Sequence, residues 1–391
     1  MKYINRFLSE SIKKNLKHYP ALAILGPRQC GKSTLAKQVL KDIPNTQFLD
    51  LEKISDRNKL NDPEMFFRLN SGKLIILDEI QKLPEIFSVL RSVIDEQNSN
   101  GQFLILGSAS RDLIKQSSET LAGRIAYFRL TPFMLQEVDL PKENIPDLLY
   151  SFWLRGGFPR SFLADDEDVS FTWRQNFIET FLQRDLPEMG FNIPPETALR
   201  LWTMCAHSQG QLLNASKFAG SLGLSNVTIK TYLDLFQGTF MLRQLKPVYA
   251  NLKKRLIKSP KIYIRDTGIF HALLNIRDRN ELYSHPAFGA SWETMVIENI
   301  IQKYDKWDAG FYRTSNGAEI DLVLEQGLNK LAIECKASTS PKPSKGFYSA
   351  MEDLKIEKGW IIAPIEGGAY PLNKKVTVIS LNDFLDMTDN Y

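Results

Sequence analysis

The feature that most constrains this chain is an eight-residue run of the form G-x-x-x-x-G-K-S. An apolar stretch, Ala21–Leu25, precedes it, and an amphipathic stretch, Lys32–Leu40, follows it. Glycines at these positions let backbone N–H groups curl around phosphates, and the helix that follows directs its positive N-terminus at them. The lysine of such a run reaches the β- and γ-phosphates, and the serine hydroxyl ligates magnesium. The run consists of Gly26, Pro27, Arg28, Gln29, Cys30, Gly31, Lys32 and Ser33.

This run predicts a site for ATP as its magnesium complex. Lys32 is expected to contact the phosphates, Ser33 to ligate the metal ion, and Thr34 to complete the set of nucleotide-binding residues. An intact run between an apolar strand and an amphipathic helix is the setting that this function requires. Hydrolysis of ATP is the expected activity.

A second apolar run ends in two acids, Asp78 and Glu79. At the carboxyl end of a buried strand, Asp78 would hold the magnesium ion through its coordinated water, and Glu79 would polarise the attacking water. Two solvated acids at the start of a loop are the alternative. Next to an intact phosphate-binding run, the catalytic interpretation is favoured.

A third apolar run is followed by Gly107 and Ser108. A polar side chain at the end of a neighbouring strand could position the water that attacks the nucleotide, and Ser108 is the candidate. An ordinary turn would also place a serine here, so both interpretations stay open.

Composition limits the class of protein. The chain has 391 residues, of which 43% are hydrophobic and 24% charged, as expected for a globular protein of two or three domains. A formal net charge of +4 is too small to indicate a partner. The isolated cysteines Cys30, Cys205 and Cys335 indicate a reducing compartment. With no signal-peptide core and no apolar run near the ~18 residues of a membrane span, we expect a cytoplasmic protein without a membrane partner.

Apolar runs and amphipathic stretches alternate in the first part of the chain. Such alternation predicts a parallel sheet with helices on both sides, including helices at Lys32–Leu40 and Ile86–Gln97. Three of the runs are apolar almost throughout, as in strands buried on both faces. The predicted strands are Ala21–Leu25, Gln47–Leu51, Leu74–Leu77, Phe103–Leu106 and Ile125–Leu130.

The pattern changes after Thr131-Pro132. Helical segments broken by turn signals extend to about Gly238, a basic stretch with strands follows to about Arg265, and a second α/β unit begins near Pro286. Its predicted elements are a helix at Ser291–Tyr304, strands at Phe311–Thr314, Glu319–Leu324 and Lys330–Lys336, a helix near Phe347–Leu354, and strands at Trp360–Ala363 and Lys375–Ile379. The predicted fold class is α/β, with domains at 1–135, 136–275 and 276–391.

The three nucleotide-site elements resemble those of the additional-strand P-loop ATPases, specifically the AAA+ group. The similarity extends through Leu121-Ala122-Gly123-Arg124 and the strand that ends in Leu130-Thr131-Pro132-Phe133. Nearly the whole chain resembles the prokaryotic AAA+ ATPases that carry a C-terminal domain of unknown function, DUF4143. This resemblance implies that an arginine reaches a γ-phosphate, in its own chain or in a neighbouring subunit of a homo-oligomer. Arg124 is the first candidate, and Arg111 and Arg91 are the alternatives.

Residues near 215–236 have the pattern of helix, tight turn and helix. The predicted helices are Ala215–Leu222 and Asn226–Phe236, with Ser225 as the N-cap of the second. This pattern resembles a winged helix-turn-helix, which commonly docks its second helix in the DNA major groove. The expected small core comprises Leu212, Phe218, Ala219, Leu224, Val227 and Leu233.

Residues 241–265 contain eight lysines or arginines and no acid, including the run Lys253-Lys254-Arg255. The second helix offers only Lys230 as a base, with Asn226 and Thr228 as polar residues, so contact with the phosphate backbone is favoured over base reading. A structural or protein-contact module with a solvated basic surface is the alternative.

The C-terminal part contains the pattern D…E-x-K, formed by Asp321, Glu334 and Lys336. Side chains alternate faces along a strand, so all three lie on one polar face if the two strands pair. Two carboxylates can hold Mg²⁺ or Mn²⁺, and a neighbouring lysine can orient water. This arrangement resembles the PD-(D/E)xK nucleases, although Ile320 replaces the leading proline.

Those nucleases also place an acid on the first helix of the domain, and the resemblance implies Glu293 here, with Glu298 as second choice. Metal-dependent cleavage of DNA is one consequence; a fold that retains its acids without cleaving is the other. The sequence therefore favours an ATPase that acts on DNA. The rival is a nucleotide-dependent switch that binds a protein partner and carries an inert nuclease-like domain.

Overall fold

The computed structural model describes residues 3–108, 117, 119–138, 145–248, 257–366 and 368–387. It divides into two compact units. The first comprises Met1–Phe133 and Gly238–Phe240, and the second comprises Met134–Gln237 and Met241–Tyr391. The predicted Arg111 and the run Lys253-Lys254-Arg255 lie outside the described residues.

Five parallel strands form the sheet of the first unit, in the order β2-β3-β4-β1-β5. Each predicted strand is confirmed to within one residue at either end. Because all five run in the same direction, the loops after β1, β3 and β4 leave from one edge of the sheet. The strands are β1 (Ala21–Leu25), β2 (Thr46–Asp50), β3 (Leu74–Asp78), β4 (Phe103–Gly107) and β5 (Ile125–Arg129).

Both faces of the three central strands, β3, β4 and β1, are buried, as their continuous apolar runs predicted. Along β1, Ala21, Ala23 and Leu25 belong to one core cluster, whereas Leu22 and Ile24 belong to another. Helices α1 (Leu8–Asn15) and α2 (Lys32–Leu40) cover the second cluster, and α4 (Pro63–Leu69) and α5 (Ile86–Gln97) cover the first. A short helix, α3 (Ile54–Asn58), follows β2.

The second unit begins with a helical region. Its longest helix continues past Thr180 through a π-helical turn, Phe181–Asp185, into a final turn at Leu186–Glu188. Trp202 and Phe236 stack in the core of this region with ring centroids 5.3 Å apart. The helices are α6 (Ile145–Arg155), α7 (Pro159–Phe162), α8 (Glu167–Thr180), α9 (Pro195–His207), α10 (Ala215–Leu222) and α11 (Asn226–Gly238).

The predicted helix, turn and helix are present as α10 and α11. Gly223 ends α10 with a left-handed φ of 65°, and the Ser225 hydroxyl accepts a hydrogen bond from the Thr228 N–H at 3.0 Å, so the predicted N-cap is confirmed. One predicted core residue is wrong. Val227 is 74% exposed, and Ile229, two positions later, is buried instead, because the buried face of α11 is offset from the predicted one.

A two-stranded antiparallel sheet follows, formed by β6 (Leu242–Leu245) and β7 (Lys261–Ile264). Three helices come next: α12 (Thr267–Leu273), α13 (Arg279–Ser284) and α14 (Phe288–Lys303).

A mixed six-stranded sheet completes the second unit, in the order β12-β13-β11-β10-β9-β8. Strands β8, β9 and β10 are antiparallel neighbours, whereas β10, β11 and β13 run parallel. The elements are β8 (Asp308–Arg313), β9 (Glu319–Gln326), β10 (Asn329–Cys335), α15 (Lys345–Leu354), β11 (Gly359–Ile362), β12 (Tyr370–Pro371), β13 (Val376–Ile379) and α16 (Leu381–Asp386). Among the described helices, none combines the length and apolar character that crossing a membrane requires.

Candidate nucleotide site and carboxylate cluster

The phosphate-binding loop lies between β1 and α2, where its backbone is fixed by close approach and by left-handed residues. A Cβ atom on Gly26 would lie 2.1 Å from the Leu130 carbonyl oxygen, so only glycine fits there. Gln29 and Gly31 have φ values of 62° and 101°. Thr34 is exposed at the start of α2. These left-handed conformations curve the loop backbone into the concave shape that we predicted for a phosphate-binding loop.

Lys32 is buried and lies against the loop that precedes it. Its ammonium donates to the carbonyl oxygens of Gly26 at 3.1 Å and Pro27 at 2.9 Å. The charged end of Lys32 is therefore already directed at the concave side of the loop, where phosphates are predicted to bind.

Two further residues of the loop, Arg28 and Cys30, are buried. The Cys30 thiol is buried and donates to the Leu130 carbonyl oxygen at 3.6 Å, and burial raises its pKa. Arg28 is buried as well and approaches Glu52 at 4.0 Å. The Cys30 contact therefore ties the loop to Leu130, the residue that follows β5.

Asp78 ends β3 at the same edge of the sheet as the loop. The Ser33 hydroxyl hydrogen-bonds its carboxylate. Burial raises the pKa of Asp78; the Ser33 hydrogen bond opposes that rise, whereas the neighbouring carboxylates of Glu79 and Asp50 add to it. A buried carboxylate surrounded by others is stabilised by a cation, so these oxygen atoms fit a magnesium ion.

Asp50 was missed by the sequence analysis. It ends β2 and pairs in register with Asp78 on β3. Asp50 could have been predicted, because it lies near the end of the second apolar run, Gln47–Leu51, as Asp78 lies at the end of the next one.

Glu79 follows Asp78 with a left-handed φ of 56°, which is uncommon for a residue with a side chain. Its carboxylate accepts a hydrogen bond from the Gln81 side chain, and its backbone N–H donates to Asp78 at 3.1 Å. Backbone strain at such a position is tolerated when it places a functional side chain.

Ser108 comes directly after β4, which lies between β1 and β3 in the sheet. The side chain is buried, and its hydroxyl has no hydrogen-bond partner among the described residues. The structure thus brings Lys32, Ser33, Asp78, Glu79 and Ser108 to one edge of the sheet.

The candidate arginines lie elsewhere. Arg124 immediately precedes β5, at the opposite edge of the parallel sheet, and forms a bidentate ion pair with Asp95. Arg91 is exposed on α5, near that same aspartate. Arg111 lies outside the described residues. Neither described arginine therefore lies beside the phosphate-binding loop of its own chain.

The second predicted site forms where α14, β9 and β10 meet. Strands β9 and β10 pair antiparallel, with Ile333 opposite Leu322, so Asp321 and Glu334 are neighbours. Glu334 is buried and pairs with Lys336 at 2.7 Å. The Cys335 N–H donates to Asp321 at 3.0 Å. The predicted polar face is therefore confirmed as a structural arrangement.

Lys261, at the start of β7, occupies the centre of this face. Its ammonium lies 2.9 Å from Glu319, 3.3 Å from Asp321 and 3.4 Å from Glu293, and its side chain is only 3% exposed. Burial by itself would lower the pKa of Lys261, but the three carboxylates raise it well above its ordinary value, so the amine is charged. Tyr263, also on β7, donates to Glu293 at 2.5 Å.

Sequence analysis placed Glu293 correctly beside Asp321 but missed Lys261 and Glu319. Glu319 could have been found, because it is two residues before Asp321 on one strand and shares its face. Lys261 could not, because it is 60 residues away from Asp321 and looked like one of many bases in a basic stretch. Among the described residues, no group of three or more histidine, cysteine or acidic side chains has the arrangement of a metal site.

Glu298, the second choice on α14, belongs to a different network. It is buried and accepts hydrogen bonds from Arg243 and Arg265, with one of its oxygen atoms 2.9 Å from each. Burial would raise its pKa, but the two arginines lower it to about 2. Three of the eight bases of residues 241–265, Arg243, Lys261 and Arg265, are thus neutralised inside the second unit and do not belong to a solvated basic surface.

Comparison with known families divides the chain into three matched segments. Residues 18–139 match a family described as an AAA domain, residues 146–280 match the domain of unknown function DUF8612, and residues 288–384 match the domain of unknown function DUF4143. A Walker-type ATPase of Pyrococcus abyssi is similar at 14% identity with a TM-score of 0.48, over 70% of this chain and 96% of that one. A variant of the RuvB protein of Thermotoga maritima has 20% identity and a TM-score of 0.31, over 62% and 88% of the two chains.

Similarity to whole proteins extends over nearly the full length. Uncharacterized proteins of Mycobacterium tuberculosis and Mycobacterium bovis are each 39% identical over 374 residues, which is 96% of this chain and 83% of theirs. One of Haemophilus influenzae is 26% identical over 338 residues, or 80% of this chain and 81% of its own. The chain therefore belongs to the family of these mycobacterial proteins, with an AAA-type P-loop domain at its start and a DUF4143 domain at its end.

Proposed function

We propose that the protein hydrolyses ATP as its magnesium complex and uses the cycle to act on DNA. The observation that carries the ATPase proposal is the meeting of the buried Lys32, the Ser33–Asp78 hydrogen bond and Glu79 at one edge of a parallel sheet. Magnesium, when bound, would neutralise charge on the β- and γ-phosphates.

The residues of the site have different roles in nucleotide binding and hydrolysis, according to their positions. Lys32 presents an ammonium to the terminal phosphates, and the loop backbone from Arg28 to Gly31 donates its N–H groups to them. Ser33 and Asp78 provide the oxygen atoms that would hold the metal ion. Glu79 orients and polarises the attacking water, and Gln81 fixes the direction of its carboxylate.

Replacement of the catalytic acid tests this proposal. Glu79→Gln keeps the size of the side chain but removes its charge, so ATP should still bind while turnover falls on the order of a hundredfold, the usual contribution of a general base. Glu85→Gln, an exposed acid six residues away, is the matched control. Binding is measured by titration with ATP and turnover by phosphate release. Turnover by Glu79→Gln equal to that of Glu85→Gln would remove Glu79 from the mechanism.

Contact with DNA is supported by the basic composition of residues 241–265 and by the helix-turn-helix formed by α10 and α11. Since Arg243, Lys261 and Arg265 are engaged by internal carboxylates, the proposed contact falls to the remaining bases, including the run Lys253-Lys254-Arg255 outside the described residues.

Reversal of that run to glutamate tests the DNA contact. Wild-type affinity for duplex DNA should fall steeply with salt, because each neutralised phosphate releases counterions, and the triple variant should bind more weakly with a shallower slope. DNA should also stimulate phosphate release by the wild type. Unchanged affinity together with no stimulation would leave the ATPase without a role on DNA.

A second candidate function is favoured by Lys261. The lysine places a fixed positive charge among Glu293, Glu319 and Asp321, and a metal ion held by Asp321 and Glu334 would be repelled by it. This favours a nucleotide-dependent switch that binds a protein partner and carries an inert C-terminal domain.

A cleavage assay decides whether the C-terminal domain cleaves DNA or is inert. Purified protein is incubated with linear, branched and single-stranded DNA in magnesium or manganese. Cleavage that disappears in both Asp321→Ala and Lys336→Ala would establish the nuclease. Cleavage equal in wild type and both variants would point to a contaminant, and absence of cleavage supports the inert form.

A further inference from the structure

A cavity of about 510 Å³ opens in the second unit beside the segments that follow β10, β11 and β13. Ala337, Pro364 and Ser380 mark these three segments, and helices α6, α13, α14 and α16 also line the cavity. Its volume lies in the range of small-molecule sites. The described residues that line it include no member of the Lys261 carboxylate cluster.

One wall of the cavity is aromatic. Tyr150 and Tyr283 stack with ring centroids 5.9 Å apart, and Phe288 packs against Tyr283 at 5.2 Å. The guanidinium of Arg279 lies over Tyr150 at 4.3 Å from the ring centroid. Tyr283 is 50% exposed, so one part of this wall is available for stacking by a further ring.

Two buried polar atoms at the cavity lack partners among the described residues. They are the hydroxyl of Tyr150, a residue only 9% exposed, and the side-chain oxygen of Asn382. Buried polar atoms in native proteins are nearly always hydrogen-bonded, so these two atoms are available to a ligand that fills the cavity.

The indole N–H groups at this cavity are not available for the same purpose. Trp153 donates to Ser291 at 2.7 Å, and Trp292 donates to the Ile362 carbonyl oxygen at 3.2 Å. Both tryptophans therefore present apolar ring surface to the cavity, while Tyr150 and Asn382 supply its polar contacts.

We propose that this cavity binds a nucleobase that bears an amino group and a phosphate. The ring would stack on Tyr283, its amino group would donate to Asn382, and its edge would meet the Tyr150 hydroxyl. Arg279 would bind the phosphate, because its ion-pair partner Asp147 is 3.7 Å away with its side chain 80% exposed, and its hydrogen bond to the Tyr283 hydroxyl is long, at 3.4 Å.

The acids at the cavity determine which base is preferred. Glu366 and Asp383 also line it, and together with Asn382 they present acceptors to the ligand. A base that carries an exocyclic amino group is therefore favoured. A free nucleotide and an unpaired base of single-stranded DNA share this chemistry, and the experiment distinguishes them.

The test uses the full chain with Lys32→Ala, so that nucleotide binding at the P-loop does not contribute. AMP and a short single-stranded oligo(dA) are titrated separately by calorimetry. Adding Tyr283→Ala should weaken binding on the order of tenfold, as loss of base stacking does. Tyr370→Ala, an exposed tyrosine of the same unit at 40% exposure, is the matched control and should have no effect.

A second variant, Asn382→Leu, tests the site without changing the stacking surface. It removes an oxygen atom that has no partner among the described residues, so it should weaken binding without lowering the melting temperature. Binding of AMP that both cavity variants weaken supports a free nucleotide. Binding of oligo(dA) alone, weakened in the same way, supports an unpaired base. Absence of binding by both ligands at millimolar concentration, or equal binding by Tyr283→Ala and Tyr370→Ala, would overturn the proposal. Phosphate release by the protein with an intact P-loop is measured separately, so failure here does not bear on the ATPase.

Discussion

At the scale of single residues, Ser108 combines burial with a hydroxyl that the described residues do not satisfy. Its position at the end of β4, between the strands that carry the P-loop and Asp78, is where a side chain could hold the attacking water. Ser108→Ala should lower turnover on the order of tenfold through loss of that one hydrogen bond. Phosphate release at saturating ATP is the measurement.

Stability distinguishes this role from a structural one. A hydroxyl that stabilises the fold costs about 1 kcal/mol on removal, whereas removal of an unpaired buried hydroxyl leaves stability unchanged or raises it. The melting temperature of Ser108→Ala should therefore equal or exceed that of the wild type. Normal turnover, or a loss of activity that accompanies unfolding, would contradict the catalytic interpretation.

The relative positions of site residues that are close together in sequence could be predicted, whereas contacts between residues that are distant in sequence could not. The spacing of Gly26, Lys32 and Ser33 determines a loop and the first turn of a helix, so their positions follow from local geometry. Asp78 follows from the end of an apolar strand. Lys261 requires knowledge of which strand packs against the C-terminal carboxylates, and no local pattern carries that information.

At the scale of elements, β7 carries a cation into the carboxylate cluster. Lys261→Met keeps most of the side-chain volume but leaves Glu293, Glu319 and Asp321 without the ammonium. Breaking a buried ion pair in this way should destabilise the second unit by about 3 kcal/mol in chelator. Manganese should restore part of that loss by replacing the missing charge, which denaturant unfolding with EDTA or manganese measures.

Two controls accompany the Lys261 experiment. Lys330→Met removes a partly exposed lysine from β10, where it pairs with Glu325, and should show little change in either buffer. Lys261→Arg retains the positive charge and should not gain a response to manganese. A wild type stabilised by manganese as much as Lys261→Met would show that the lysine does not occupy the place of the metal.

The elements themselves were predicted more completely than their packing. The three central strands of the first sheet could be predicted because both of their faces are buried and each is an almost unbroken apolar run. Helix α11 has the predicted start, yet Val227 is exposed, because the direction of a helix face depends on neighbours that are distant in sequence. Strand alternation predicted that Asp321, near the start of β9, and Glu334, near the end of β10, share a face if the two strands pair, and the strands do pair.

At the scale of the whole molecule, the parallel sheet separates Arg124 from the phosphate-binding loop. Strand β1 ends at the loop, whereas β5 begins immediately after Arg124, and Ala21 pairs with Ile125. Five residues at about 3.3 Å each separate the two edges by about 16 Å, farther than an arginine side chain extends. If Arg124 stabilises a γ-phosphate, that nucleotide must belong to a second copy of the chain, with the arginine released from Asp95.

A mixing experiment tests this arrangement. Lys32→Ala lacks a working nucleotide site but supplies Arg124, and Arg124→Ala lacks the arginine but retains the site. Each should be nearly inactive alone, and mixing them should restore phosphate release above the sum of the two, because some pairs then contain one intact site. Wild-type activity per chain should also rise with protein concentration as copies associate.

The control variant is Asp95→Asn, which breaks the same ion pair but keeps the arginine. It should remain active. If it is inactive, the effect of Arg124→Ala is assigned to folding. Mixtures no more active than the separate variants would confine Arg124 to its ion pair.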